Sequence, residues 1–274
     1  VQIISLNKVK TPAFAGVSIS RGDFLKEMIE RLKASALHLG VSIFVAVLSA
    51  ILVFVFWYPE ALAHESNVHN IFILLCISDV VLGPVITLII FKKQKQQFMR
   101  DLSVVALIQL AALLYGLHAV FAARPVYIVY NAGAFDLAYA NEMSQENLKK
   151  AKNPKYRSLP VFGPHLVAAD LPSDSYIAEK IILSAVNGGD DIQHLPEYFS
   201  PYEAKKEVVL KNVKPLTNLS SSRLANKEKL NDLQKKYAGQ NRQVGYLPLR
   251  GTEKKIYVLV DQLTGEFLEI SELT

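Results

Sequence analysis

Residues 71–91 read IFILLCISDVVLGPVITLIIF, an apolar run with a single carboxylate, Asp79, near its middle. A helix needs roughly 20 apolar residues to cross the hydrocarbon of a bilayer, and this run supplies them. A charged side chain at that depth costs roughly 2.5–3.5 kcal/mol on insertion scales. Gly83 and Pro84 follow Asp79 closely, and Pro84 removes one hydrogen bond of the helical ladder, so a distortion is expected there.

Two more apolar runs flank this one. The first, Ala34 to Tyr58, has no charged side chain between Lys33 and Glu60 and ends in Phe56, Trp57 and Tyr58. Such aromatics anchor a span at the bilayer interface, and Pro59 then stops the helix. The third is Leu102 to Phe121, LSVVALIQLAALLYGLHAVF. The first run is too long and lies too deep in the chain for a cleaved signal peptide, and no small-residue cleavage site follows it. The expected organisation is therefore an N-terminal arm (1–33), three transmembrane helices (34–58, 71–91 and 102–121) and a C-terminal domain (122–274). Val1 to Ser20 shows no helical or strand period, and Met28 makes a natural start, so residues 1–27 read as an extended start or a disordered leader, or else as a short cytoplasmic arm.

Basic residues set the orientation. Arg21, Lys26, Arg31 and Lys33 precede the first span, the connection from Pro59 to Asn70 has no Lys or Arg, and Lys92, Lys93, Lys95 and Arg100 follow the second span. This alternation predicts a cytoplasmic N-terminus and a C-terminal domain outside the membrane, which in a bacterium means the periplasm. Over the whole chain 30 Lys+Arg face 25 Asp+Glu, and residues 124–274 carry 20 against 18. A nearly neutral domain lacks the basic stripe that nucleic-acid binding wants. The one cysteine, Cys76, lies inside the second run, which excludes an intramolecular disulfide and a cysteine zinc site.

The C-terminal domain reads as α+β. Residues 125–140, PVYIVYNAGAFDLAYA, form two strands about an Asn131-Ala132-Gly133 hairpin signal. Met143 to Ala151 is a short helix. Pro154 to Pro172 holds four prolines and is expected as a loop with one brief strand near Leu166 to Ala169. Ser173 or Asp174 caps a helix from Ser175 to about Val186, Pro201 opens another to about Leu210, and Asn226 to Ala238 gives a third. A meander of Val244–Leu249, Lys255–Val260 and Phe267–Ile270 closes the chain.

Asp79 is the leading candidate for function. At a rise of about 1.5 Å per residue it lies about 12 Å below the outer end of its span, while His118 lies about 24 Å above the inner start of the third; Gln109 lies about 10 Å up that span and His38 about 6 Å up the first. Tyr115 and His118 are then the expected partners, with Gln109 deeper. Two readings stand: Asp79 holds its own bundle together, or it docks a polar group of another transmembrane helix. A proton relay would want a second intramembrane acid, and the three runs contain none. Gly40, Ser42, Ala46, Ser49 and Ala50 are small residues of the kind used in close helix packing. His64, Glu65 and His69 read as solvated loop residues rather than metal ligands. No G-x-S-x-G elbow, H-E-x-x-H pair or phosphate-binding glycine loop is present, nor is the ligand spacing of a calcium loop at Gly188–Asp191, so neither enzyme activity nor a cofactor is expected. A membrane-anchored periplasmic ligand-binding protein, or a sensor or transport accessory, is the rival class.

Several stretches carry a family resemblance: the Trp57-Tyr58-Pro59 end of the first span, DVVLGP (79–84), IQLAALLYGL (108–117), RPVYIVYN (124–131), LPVFGPHLVAADLP (159–172) and YLPLRG (246–251). Over about residues 30–270 the chain resembles the type IV pilin accessory proteins of the TfpX/TfpZ kind, also called fimbrial assembly proteins. The resemblance implies a bacterial inner-membrane protein whose partner is the major pilin, with other inner-membrane pilus-assembly proteins as further partners, and which promotes pilin stability, export or assembly.

Overall fold

The computed structural model describes residues 21–59, 61–90, 98–220, 226–251 and 255–273. The basic connection holding Lys92, Lys93 and Lys95, and the supposed leader up to Ser20, lie outside the described residues. Helix α1 spans Arg21–Ile51 and continues through a π-helical turn, Leu52–Trp57. It starts well before Ala34. The Glu27–Arg31 and Glu30–Lys33 pairs, four and three residues apart, support its first turns, so the charged segment is helix rather than a separate arm.

The connection from Pro59 to Asn70 is helical as well: α2 is Ala61–Glu65, and α3, Val68–Cys76, begins the second span. That span passes through a π-helical turn, Ile77–Leu82, into α4, Gly83–Ile90. The expected distortion therefore takes the form of a widened turn just ahead of Pro84, where an ordinary α-turn would press the proline ring on the carbonyl four residues back. The third span, α5, is Phe98–Ala122. Three helices, Phe24–Trp57, Val68–Ile90 and Arg100–Ala122, are long and apolar enough to cross a membrane. Their outward faces are apolar: Leu37, Ile89, Leu107, Ile108 and Tyr115 are all largely exposed. A surface of this kind suits lipid, not water.

Beyond α5 the chain forms a mixed sheet domain. Strands β1 (Pro125–Asn131) and β2 (Ala134–Tyr139) make the hairpin, with Asn131 opposite Ala134. Both turn residues have positive φ, 47° at Ala132 and 79° at Gly133. This is the primed turn whose twist matches the strands. After α6 (Gln145–Lys150), capped by Ser144, comes β3 (His165–Ala169), which runs parallel to β1. Helix α7 (Ser175–Val186) is capped by the Asp174 carboxylate, which accepts from the amides of Tyr176 and Ile177. Pro201 ends a short edge strand, β4 (Phe199–Pro201), instead of opening a helix. A 3₁₀ turn, Tyr202–Lys205, intervenes before α8 (Lys206–Asn212), because the Tyr202 ring is buried and its hydroxyl donates to the Gly265 carbonyl at 2.8 Å. Then follow β5 (Lys214–Pro215), α9 (Thr217–Ser220), α10 (Lys227–Ala238) and the meander β6 (Val244–Arg250), β7 (Ile256–Asp261) and β8 (Phe267–Glu272).

The sheet order is β4-β3-β1-β2-β6-β7-β8, with β5 on β6. Its two halves join where β2 meets β6 in parallel over Phe135–Leu249 and Asp136–Arg250. So short a pairing is reinforced by side chains: Arg250 Nε donates to Asp136 Oδ1 at 2.8 Å, and Arg250 Nη2 reaches Oδ2 at 2.5 Å and the Asn131 carbonyl at 3.1 Å. Burial raises the Asp136 pKa from its ordinary value, and the Arg250 guanidinium opposes that rise. One face of the sheet packs Ile128, Tyr130, Phe135, Leu247 and Val258; the other packs Tyr127, Val129, Leu148, Tyr156 and Ile181.

Ala132 carries a methyl group where glycine or asparagine fits better. Ala132→Gly is expected to raise stability by about 0.5–1 kcal/mol, read as a shift in the thermal midpoint of the detergent-solubilised protein.

Candidate functional site

Two places in the structure bring together the residues singled out in the sequence. The first is the joint between bundle and sheet. Tyr58 ends the first span with its φ at −127° and ψ at 68°, outside the α region, which the following Pro59 disfavours. Its buried hydroxyl donates to the Val120 carbonyl at 3.0 Å. Trp57 packs on Phe121, with ring centroids 5.0 Å apart. Arg124 is buried directly after α5; its Nη1 donates to the Phe121 carbonyl at 2.7 Å, its Nη2 donates to the Pro160 carbonyl at 2.6 Å, and its guanidinium lies 3.6 Å over the Phe121 ring. Burial lowers its pKa from the usual arginine value. The Pro160 loop also touches the first span, through the Gly163 amide on the Phe56 carbonyl and Phe162 against the Phe56 ring.

Helix α2 strengthens the same joint. Leu62, 2% exposed, belongs to the core of the sheet domain alongside Ile128, Phe135, Val258 and Ile270. The short connection between the first two spans is thus part of the domain's interior. Sequence reading missed this, although Ala61-Leu62-Ala63 is an apolar triplet inside an otherwise polar loop. His69 is also structural: its Nδ1 meets the Ala63 carbonyl at 3.0 Å, and its ring stacks on Phe54 and on His64.

The second place is a cleft of about 200 Å³ among the three apolar helices. Its walls are His38, Ser42, Ala46 and Ser49 on α1, Cys76 and Asp79 on the second span, and Gln109 and Leu113 on α5. The Oδ1 atom of Asp79 is shielded from solvent and has no hydrogen-bond partner in the structure. His38 is anchored across the span interface, its Nδ1 2.6 Å from Thr87 Oγ1, while Ser35 donates to the Pro84 carbonyl at 2.9 Å. A methyl group at Gly83 would collide with the Gln109 amide and come within 3.0 Å of His38 Nε2. Gly83 therefore lets spans one and three approach the second span at this level.

The expected partners of Asp79 need correcting. Tyr115 and His118 do not line the cleft; both are exposed on the flank of α5, Tyr115 at 77%. Gly116 faces Leu75 and Gly83 faces Gln109, so the antiparallel register puts Asp79 opposite the turn around Leu113. His118 then lies more than a turn closer to the joint than Asp79 does. Depths counted from assumed span ends misjudged this, because α5 starts at Phe98 and α1 at Arg21. Gln109, a candidate from the sequence, does line the cleft, and so does His38, which the depth count had placed lower. Pro84 sits behind it, its carbonyl taken by Ser35. Of the small residues, Ser42, Ala46 and Ser49 face the cleft, Ala50 packs into the joint, and a methyl group at Gly40 would meet no other part of the protein within 4 Å.

A bundle of three helices long and apolar enough to cross a membrane, with a mixed sheet domain fixed to one end, is the class of protein this geometry defines. Comparison with known proteins sharpens it. Residues 26–60 match the family model described as fimbrial assembly protein FimB. The chain is 31% identical over 186 residues to the fimbrial assembly protein of Dichelobacter nodosus serogroup I, covering 67% of this chain and 72% of that protein. It is 30% identical over the same length to the serogroup E1 protein, and 31% identical over 121 residues to that of serogroups C1 and C2, covering 43% of this chain and 92% of that protein. The chain belongs to the fimbrial assembly protein family. No solved structure matches it.

Gly83→Val is expected to push Gln109 and His38 away from the second span and to cost about 1–3 kcal/mol, as overpacking does. Gly40→Ala is expected to leave the thermal midpoint unchanged or slightly higher, since its added methyl meets nothing.

Proposed function

We propose that this chain is an inner-membrane accessory protein of type IV pilus biogenesis, which binds the major pilin and promotes its stability, export or assembly without catalysing a reaction. Membership of the fimbrial assembly family supports the process. The observation that carries the mode of action is the joint: Arg124, the Trp57–Tyr58 end of α1 and the inserted Leu62 tie the sheet domain to the bundle. A protein so built presents one continuous surface from the bilayer into the space above it. That suits a partner with a membrane helix and a head outside the membrane, as a pilin subunit awaiting assembly has.

In this reading the N-terminus is cytoplasmic and the sheet domain periplasmic. The basic residues before the first span support that orientation, as does the lack of Lys and Arg in the Pro59–Asn70 connection. Other inner-membrane pilus-assembly proteins are the further candidate partners. Deleting the chain in its own host is expected to lower surface pili, or the level of the major pilin, at unchanged pilin transcript. Chemical crosslinking is expected to join it to its own pilin in preference to a heterologous one. Normal piliation with normal pilin levels contradicts the proposal.

A further inference from the structure

We propose that the cleft between α1 and α5 is a docking slot for one transmembrane helix of another chain, and that this helix brings a hydrogen-bond donor to Asp79. The reading of the pilin as partner, above, supplies the identity of that chain; the slot itself is read from the geometry. Spans one and three meet at the joint, through Trp57–Phe121 and Tyr58–Val120, and lower down the cleft separates them. The second span forms the floor. Its volume of about 200 Å³ exceeds the ~150 Å³ apolar cavity that suffices to hold benzene, so side chains of a helix lying across the mouth can enter it.

The chemistry of the walls restricts the occupant. Ser42, Ala46 and Ser49 make one wall low, so a helix backbone can come close. Asp79 Oδ1 is an acceptor held away from water with nothing to accept from. His38 does not fill that role, because its Nδ1 is held by Thr87 and its Nε2 lies beside Gly83 and Gln109. A lipid chain has no donor to give. A second copy of this chain, docked by the same face, would bring a second Asp79 carboxylate to the first. A different helix with a hydroxyl, amide or cationic donor at mid-membrane depth meets the shape and, once the Asp79 carboxylate turns toward the mouth of the cleft it lines, the unpartnered oxygen.

The test uses the full chain in native membranes together with its major pilin. A photoreactive side chain replaces Val45 or Leu110, on the two walls of the cleft, or Leu37 or Ile89, on lipid-facing surfaces. After irradiation the adducts are measured per copy of the chain. The slot predicts a pilin adduct from Val45 and Leu110 at about ten times the yield from Leu37 and Ile89. Asp79→Ala is expected to cut the cleft adduct about tenfold. Ser49→Leu, which fills the wall with an apolar side chain and leaves Asp79 untouched, is expected to cut it comparably, so a folding defect of the first variant does not decide the matter. An adduct at the mass of two copies of this chain, equal pilin yields from cleft and lipid-facing positions, or a cleft adduct indifferent to both variants overturns the slot. A pilin adduct from a photoreactive group at Val186 in the sheet domain, with the cleft silent, overturns the slot and leaves the pilin partnership standing. No pilin adduct from any position overturns both.

Discussion

The architecture depends on the buried Arg124 guanidinium. It sits where α5 ends and β1 begins, and a cation there must be met within the protein. Two backbone carbonyls, from Phe121 and Pro160, and the face of the Phe121 ring meet it. Those contacts pin the proline-rich loop that follows α6 to the end of the third span. The same loop reaches the first span through Gly163 and Phe162. A connection that would otherwise act as a hinge thereby becomes a bearing surface, and Leu62 locks it from the far side by entering the sheet core.

Fixing the domain in this way has a consequence inside the helix bundle. With α1 and α5 held together at one end, their separation lower down is governed by what the second span places between them. The π-helical turn at Ile77–Leu82 and the glycine at Gly83 shape that region, and they leave Asp79 facing a cleft rather than a packed neighbour. In lipid there is no water to satisfy such a group. The pairing of a braced frame with an unmet polar atom is what makes a binding role for the bundle a physical expectation.

Much of this was legible in the sequence. The three apolar helices, a hairpin about Asn131-Ala132-Gly133, helix α7 with a cap at Ser173 or Asp174 and the closing meander all follow from local patterns that tertiary structure did not override; the primed turn type and the choice of Asp174 came from the structure. Asp79 was visible as a costly residue, and the structure seats it on a cleft. Its neighbours were not legible, because a depth count carries no information on helix rotation or on where each helix truly begins. That is why His118 and Tyr115 were favoured over His38 and Gln109. Leu62 was hidden for a different reason: a lone apolar triplet in a short loop shows no period, and only the assembled sheet reveals the core it completes. The Asp136–Arg250 clasp links residues far apart in sequence and leaves no local trace.

The central claim is that bundle and sheet domain behave as one body. The most direct measurement is the distribution of distances between two spin labels, one at Ile89 on the second span and one at Val186 on α7, in the full chain carrying Cys76→Ala and held in lipid nanodiscs. Both sites are exposed and lie on opposite sides of the joint. The account predicts a single narrow distribution that broadens when Arg124→Ala removes the cation from the joint. A broad distribution in the otherwise unaltered chain, insensitive to Arg124, would contradict it.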